Sequence, residues 1–131
     1  MKVVLFACVE NSFRSQVAEA YFNKYAPKGW TATSAGIKLA DRVNPNAIAL
    51  MREEGIDISH KKPQMLTPDL QTTAEIAVIV CGKAACPVVY AKRVEDWNLP
   101  DPAKMSIDGA RKVRDAIKEK VLRLVEEIKE S

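Results

Sequence analysis

The chain lacks the features that would mark it as secreted, membrane-spanning or built around a metal cluster. His60 is its single histidine, and one imidazole flanked by Ser59 and Lys61 reads as a surface residue, not as part of a ligand set. Three cysteines are an odd count, which does not pair off into the disulfide framework of a small secreted domain. Cys81 and Cys86 have no second pair with which to frame zinc. The longest strongly apolar runs, residues 3–9 and 76–81, fall far short of the roughly 20 residues a membrane helix needs. One Lys near the start, with no small-residue cleavage site after a long apolar region, gives no expectation of a signal peptide. Positive charge is not concentrated either. Twenty basic against 17 acidic side chains leave a net +3 spread along the chain, without the basic stripe of a nucleic-acid binder. Aromatics make up only 6% of the residues, and Trp30 and Trp97 read as packing residues. The expectation is a cytoplasmic protein with neither nucleic acid nor membrane as partner.

What is present is an ordinary globular composition, 47% hydrophobic and 28% charged over 131 residues, enough for one core and one domain spanning residues 1–131. Residues 3–7 form a β-branched apolar run suited to a strand buried on both faces. A helix follows from about Ser15, with Val17, Tyr21 and Tyr25 at helical spacing, closed by Ala26-Pro27-Lys28-Gly29. Residues 30–34 and 76–80 read as a second and a third strand, and a fourth is expected around 88–90. Asn44-Pro45 and Thr67-Pro68 are each a cap followed by a first-turn Pro, opening two further helices. Val113, Ile117, Val121, Leu124 and Ile128 step by helical spacing through a long last helix. Strands alternating with helices predict an α/β fold, a four-stranded parallel sheet flanked by helices. Ligands in such sheets bind beyond the carboxyl ends of the strands. Cys8 and Cys81 each lie at such an end.

The richest segment is Cys8-Val9-Glu10-Asn11-Ser12-Phe13-Arg14-Ser15, between a strand and a helix. A loop there aims successive backbone N–H groups and a helix N-terminus at one point, which is a ready anion site. Val9, Glu10, Asn11, Ser12, Phe13 and Arg14 are the expected oxyanion-binding residues, and Arg14 adds a planar bidentate grip. The same positive field favours a nucleophilic thiolate, to which Ser15 can donate its hydroxyl. Asn11 is a residue type that tolerates positive φ in a tightly curled loop. In a chain of this composition, chance gives only about 0.007 occurrences of Cys-x5-Arg-Ser.

This motif, in the form Cys-x-x-Asn-Ser-x-Arg-Ser-Gln, resembles the low-molecular-weight protein tyrosine phosphatase superfamily. Ser34-Ala35-Gly36, Gly55-Ile56-Asp57-Ile58-Ser59 and Asp101-Pro102 follow in the expected order, so the likeness spans nearly the whole chain. The superfamily has two main branches, phosphatases and thioredoxin-coupled arsenate reductases. The resemblance implies Cys8 as nucleophile on arsenate or phosphate, and no tightly bound cofactor.

Displacement at an oxyanion needs its leaving oxygen protonated, and the resemblance assigns that role to Asp101. On the residues alone Asp101 reads sooner as an Asx turn in a Pro-stiffened loop, a reading the resemblance reverses, and Asp96 and Asp108 are the fallback candidates. Cys81 and Cys86 read either as two incidental buried thiols or as a redox pair. Pairing requires Cα atoms about 4.4–6.8 Å apart, so a stretch that could extend to roughly 17 Å must turn back on itself. The reductase branch carries a cysteine pair in this region. It therefore implies a relay from Cys8 through Cys81 to Cys86, recharged by a thioredoxin-like dithiol protein. A phosphatase working through phosphocysteine is the alternative.

Three details depart from the family pattern. The Cys81–Cys86 spacing is slightly short, Phe13 stands where many members carry another Cys, and Ala103 stands where phosphatases have an aromatic. No metal is expected in the chemistry, but Asn11, Glu19 and Ser34 resemble positions that some reductases use for potassium.

Overall fold

Four short parallel strands carry the fold: β1 (Lys2–Cys8), β2 (Trp30–Gly36), β3 (Ala74–Ile79) and β4 (Arg93–Asp96), in the order β2-β1-β3-β4. The computed structural model describes residues 1–81 and 91–131. Between and after the strands lie α1 (Arg14–Tyr25), α2 (Pro45–Arg52), α3 (Pro68–Thr73), a 3-10 turn (Pro102–Lys104) and α4 (Ile107–Glu130). This is the single α/β domain expected from the alternation of strands and helices.

Strand β1 is central and reads as an unbroken apolar run because both its faces are covered. Val4, Leu5, Phe6 and Ala7 are all fully buried. Val4 and Phe6 belong to one core with Val17 and Tyr21 of α1 and with Ile117 and Val121 of α4. Leu5 packs on the opposite face with Ala35, Ala74, Leu66, Leu70 and Ala91. Phe6 also meets Trp97 at a ring separation of 5.6 Å, which confirms that tryptophan as a packing residue.

The caps act where the sequence placed them. Asn44 accepts the Asn46 N–H at 2.8 Å ahead of Pro45, and Thr67 accepts the Leu70 N–H at 3.2 Å ahead of Pro68. Past the end of α2, Gly55 takes φ +73°, a left-handed turn that suits glycine.

Strands β1 and β3 begin one and two residues earlier than expected, and the other two strands differ as well. The second strand runs on through Gly36 instead of stopping at Ser34. The fourth strand is Arg93–Asp96, whereas the expected stretch, 88–90, lies outside the described residues. Arg-Val-Glu-Asp does not read as a strand because it lies at the sheet edge, where charge is tolerated and discourages pairing with other chains.

Helices α2 and α4 are joined by an ionic cluster. Glu53 accepts from Arg111 (2.8 and 3.0 Å) and from Arg114 (2.7 Å), and Tyr21 and Lys118 donate to Glu54 at 2.8 and 2.9 Å. Hydrogen bonds from Arg111 and then Arg114 hold the Glu53 carboxyl down at about 2, against an ordinary value of 4.5. A carboxyl with a lowered folded value stabilises the fold above its unfolded value, and that contribution is lost as pH falls through the folded one. The Tm difference between wild type and Glu53→Gln is thus expected to be largest at neutral pH. It should shrink from about pH 4.5 downward and close near pH 2, as followed by circular dichroism melts. A difference that does not vary with pH would show that Glu53 contributes nothing through its charge.

Candidate active site

The carboxyl ends of all four strands converge on one edge of the sheet. Cys8 ends β1 opposite Gly36 of β2. Val80, just past β3, donates its N–H to Ala7 O at 3.0 Å, which brings Cys81 to the same edge. The loop after β4 closes the site. Arg14 Nη1 donates to Leu99 O at 3.0 Å, two residues before Asp101.

Cys8 is a buried free thiol. Its Sγ accepts the Asn11 N–H at 3.2 Å and lies 2.9 Å from Ser15 Oγ. Ser15 Oγ also accepts from Asn11 Nδ2 at 2.7 Å. The Asn11 N–H and the Ser15 hydroxyl therefore both face the Cys8 sulfur.

Asn11 is the pivot of the loop, fully buried at φ +54°, a conformation Asn adopts more readily than most residues. Its Oδ1 accepts from Gln16 Nε2 at 3.0 Å and from the Gln64 N–H at 2.8 Å. Val9 O accepts the N–H groups of Ile37 (2.8 Å) and Lys38 (2.9 Å), so β2 holds the other shoulder.

The loop leads into α1 without a cap. Phe13 makes no side-chain capping bond, and the first turn of α1 carries no acidic residue. The first N–H groups of a helix have no intrahelical partner and form the positive end of its dipole, so an uncapped start is a place for an anion. Above it opens a cavity of about 90 Å³ lined by Cys8, Glu10, Ser12, Phe13, Arg14, Asn44, Asp101 and Ala103. That is well below the roughly 300 Å³ of the smallest pockets for drug-sized ligands. It matches a small oxyanion.

The expected residues thus divide. Cys8, Glu10, Ser12, Phe13, Arg14 and Asp101 line the cavity. Val9 and Asn11 support it from behind. Asp101 is exposed and caps the 3-10 turn, its Oδ1 accepting the Ala103 N–H at 3.0 Å. Neither fallback acid reaches the cavity: Asp96 accepts the Asn98 N–H, and Asp108 pairs with Arg111. Cys81 is buried and disulfide-bonded, and Cys86 lies outside the described residues. His60 is exposed.

Reading the sequence missed Asn44 as a lining residue, because its role as a helix cap already accounted for it. It also missed Gln16 and Gln64, which hold Asn11. The Gln that closes the loop motif was the available signal for Gln16.

A free cysteine ending the first strand, its curled loop and an uncapped helix on this sheet define a phosphatase-type oxyanion-loop fold. The chain belongs to the low molecular weight phosphotyrosine protein phosphatase family, whose sequence profile matches residues 3–131. It is 40% identical over 135 residues to an arsenate reductase of Bacillus licheniformis, covering 95% of this chain and 96% of that protein. Among solved structures it superposes on an arsenate reductase in its phosphate-binding state with a TM-score of 0.87 and 34% identity, over 98% of this chain and 99% of the other. A thioredoxin-dependent arsenate reductase of Corynebacterium glutamicum matches with a TM-score of 0.82 and 28% identity, over 98% of this chain and 62% of that one. The family and fold read from the motifs are therefore correct.

Proposed function

We propose that this chain is an arsenate reductase that forms a thiol–arsenate adduct on Cys8 and discharges it through a Cys8, Cys81 and Cys86 relay. The observation that carries the reading is the placement of Cys81, disulfide-bonded, at the strand edge where the free Cys8 faces an oxyanion-sized cavity. A phosphatase needs only the second of those thiols. The names of the relatives support the same activity.

In the first step the Cys8 thiolate attacks arsenic, and Asp101 gives its proton to the departing oxygen, which leaves as water. Arg14 and the loop N–H groups hold the remaining oxygens. The Cys81 thiolate then attacks Cys8 Sγ. The sulfur–arsenic bond breaks with its electron pair remaining on arsenic, which leaves as arsenite, and a Cys8–Cys81 disulfide forms. The Cys86 thiolate attacks Cys81 and frees Cys8 as thiolate. An external dithiol protein of the thioredoxin kind reduces the Cys81–Cys86 disulfide. Two electrons reach arsenic and two thiols are oxidised, so each turnover balances.

The test is arsenite production with thioredoxin, thioredoxin reductase and NADPH, run beside aryl phosphate hydrolysis. In Cys81→Ser and Cys86→Ser, arsenite turnover is expected to fall at least about 10³-fold while hydrolysis stays within about threefold. Hydrolysis that survives in both variants, with no arsenite made by wild type, would identify a phosphatase instead.

A further inference from the structure

The resemblance to potassium-binding reductases pointed to Asn11, Glu19 and Ser34, and these residues do not fit a free cation. Glu19 is buried on α1, and both its oxygens are engaged. Its Oε1 accepts the Ser34 hydroxyl at 2.5 Å, and its Oε2 takes the Lys61 ammonium at 2.6 Å. The oxygens of Asn11 are also occupied, since Gln16 Nε2 donates to its carbonyl O (3.2 Å), to its Oδ1 (3.0 Å) and to Lys62 O (3.1 Å). Gln16 Oε1, buried without a partner, belongs to the amide whose nitrogen already fills that space.

Lys61 begins a strap that runs behind the oxyanion loop. After Lys61 grips Glu19 and Lys62 O receives Gln16, Gln64 donates its N–H to Asn11 Oδ1 and its Nε2 to Ser34 O (3.0 Å). Gln64 O and the Leu66 N–H then clasp the two sides of Gly36, each at 2.8 Å. The strap thus holds both Asn11, which sets the loop around Cys8, and the end of β2 beneath it. Its anchor is one ion pair whose carboxylate is buried. Such a carboxylate needs a positive partner, because an unpaired buried charge is costly.

We propose that Lys61 is a built-in monovalent cation. Its ammonium, equal in charge to potassium and close to it in size, takes the place at Glu19, so the oxyanion loop is set without potassium. The inference rests on reading that loop as an oxyanion site, but not on arsenate reduction. Lys61 acts as a positioning residue through Glu19, Ser34 and the strap.

The test uses inorganic phosphate binding to the reduced protein by calorimetry, at constant ionic strength with potassium, ammonium, lithium or choline as the cation. For wild type, Kd is expected to be the same in all four within about 1.5-fold. Lys61→Ala is expected to bind phosphate about tenfold more weakly in lithium or choline and to return to within about twofold of wild type in potassium or ammonium. Lys61→Met, which keeps the apolar stem, gives the same reading should Lys61→Ala not fold. Wild-type binding that tightens in potassium would overturn the proposal. So would a variant that binds phosphate as wild type does, or one whose weakened binding neither potassium nor ammonium restores. A fault in the relay leaves all of these binding results unchanged.

Discussion

Replacing Cys8 by Ser is expected to lower arsenite formation and aryl phosphate hydrolysis together by at least about 10⁴-fold, while phosphate binding changes only a few-fold. The loss follows from the atom exchanged. Among the described residues the atom at this position has only the Asn11 N–H and the Ser15 hydroxyl within hydrogen-bond distance, and neither is a base that would take a serine's proton. A thiol ionises far more readily and is intrinsically the better nucleophile. Binding survives because Arg14, the uncapped start of α1 and the loop N–H groups are untouched. The new oxygen also stands where the Asn11 N–H and Ser15 Oγ already converge, so both keep a partner. Kinetics of the variant and calorimetric titration with phosphate separate the two effects. Retained turnover would reduce Cys8 to a packing residue.

Gly36→Ala should damage the site from behind. A methyl group there would stand 2.6 Å from Val9 O and 2.9 Å from Asn11 N, both backbone atoms of the oxyanion loop. Neither can swing aside as a flexible side chain would. Val9 O is also fixed by the Ile37 and Lys38 N–H groups, so relief comes only by displacing the loop. Overpacking of this kind costs about 1–3 kcal/mol of stability. A misplacement of about 1 Å costs roughly 10²-fold in rate. The expected result is a kcat/KM about 10²-fold lower for either reaction, in a protein that still folds. Activity within twofold of wild type would mean that the loop has more freedom than its contacts with β2 imply.

Much of this arrangement was legible in the sequence because local rules agreed with the global fold. The apolar run of β1, the Asn44-Pro45 and Thr67-Pro68 caps and the periodic face of α4 each gave the element found. Cys8, Arg14 and Ser15 were singled out by the spacing of the loop motif and Asp101 by the family likeness; Cys8, Arg14 and Asp101 line one cavity, and Ser15 lies beside Cys8. The fourth strand was not legible, since an edge strand of four residues, Arg-Val-Glu-Asp, carries none of the apolar signal that marks β1 and β3. Nor was the strap. Lys61, Gln64 and Gly36 meet the loop or its helix only across long sequence separations. Glu19 came from the family likeness alone, and that likeness pointed to a metal ion where the structure holds an ammonium.

The central claim is that two electrons leave this chain's own thiols for arsenic, and one measurement addresses it directly. Fully reduced protein is mixed with excess arsenate in the absence of any reductant, and arsenite and alkylatable thiols are counted over time. The relay predicts a burst of about one arsenite per chain, with free thiols falling from three to about one, and peptide mapping placing the survivor at Cys8. No arsenite burst, with all three thiols still alkylatable, would contradict it and leave oxyanion binding or phosphoester hydrolysis as the chemistry of the loop.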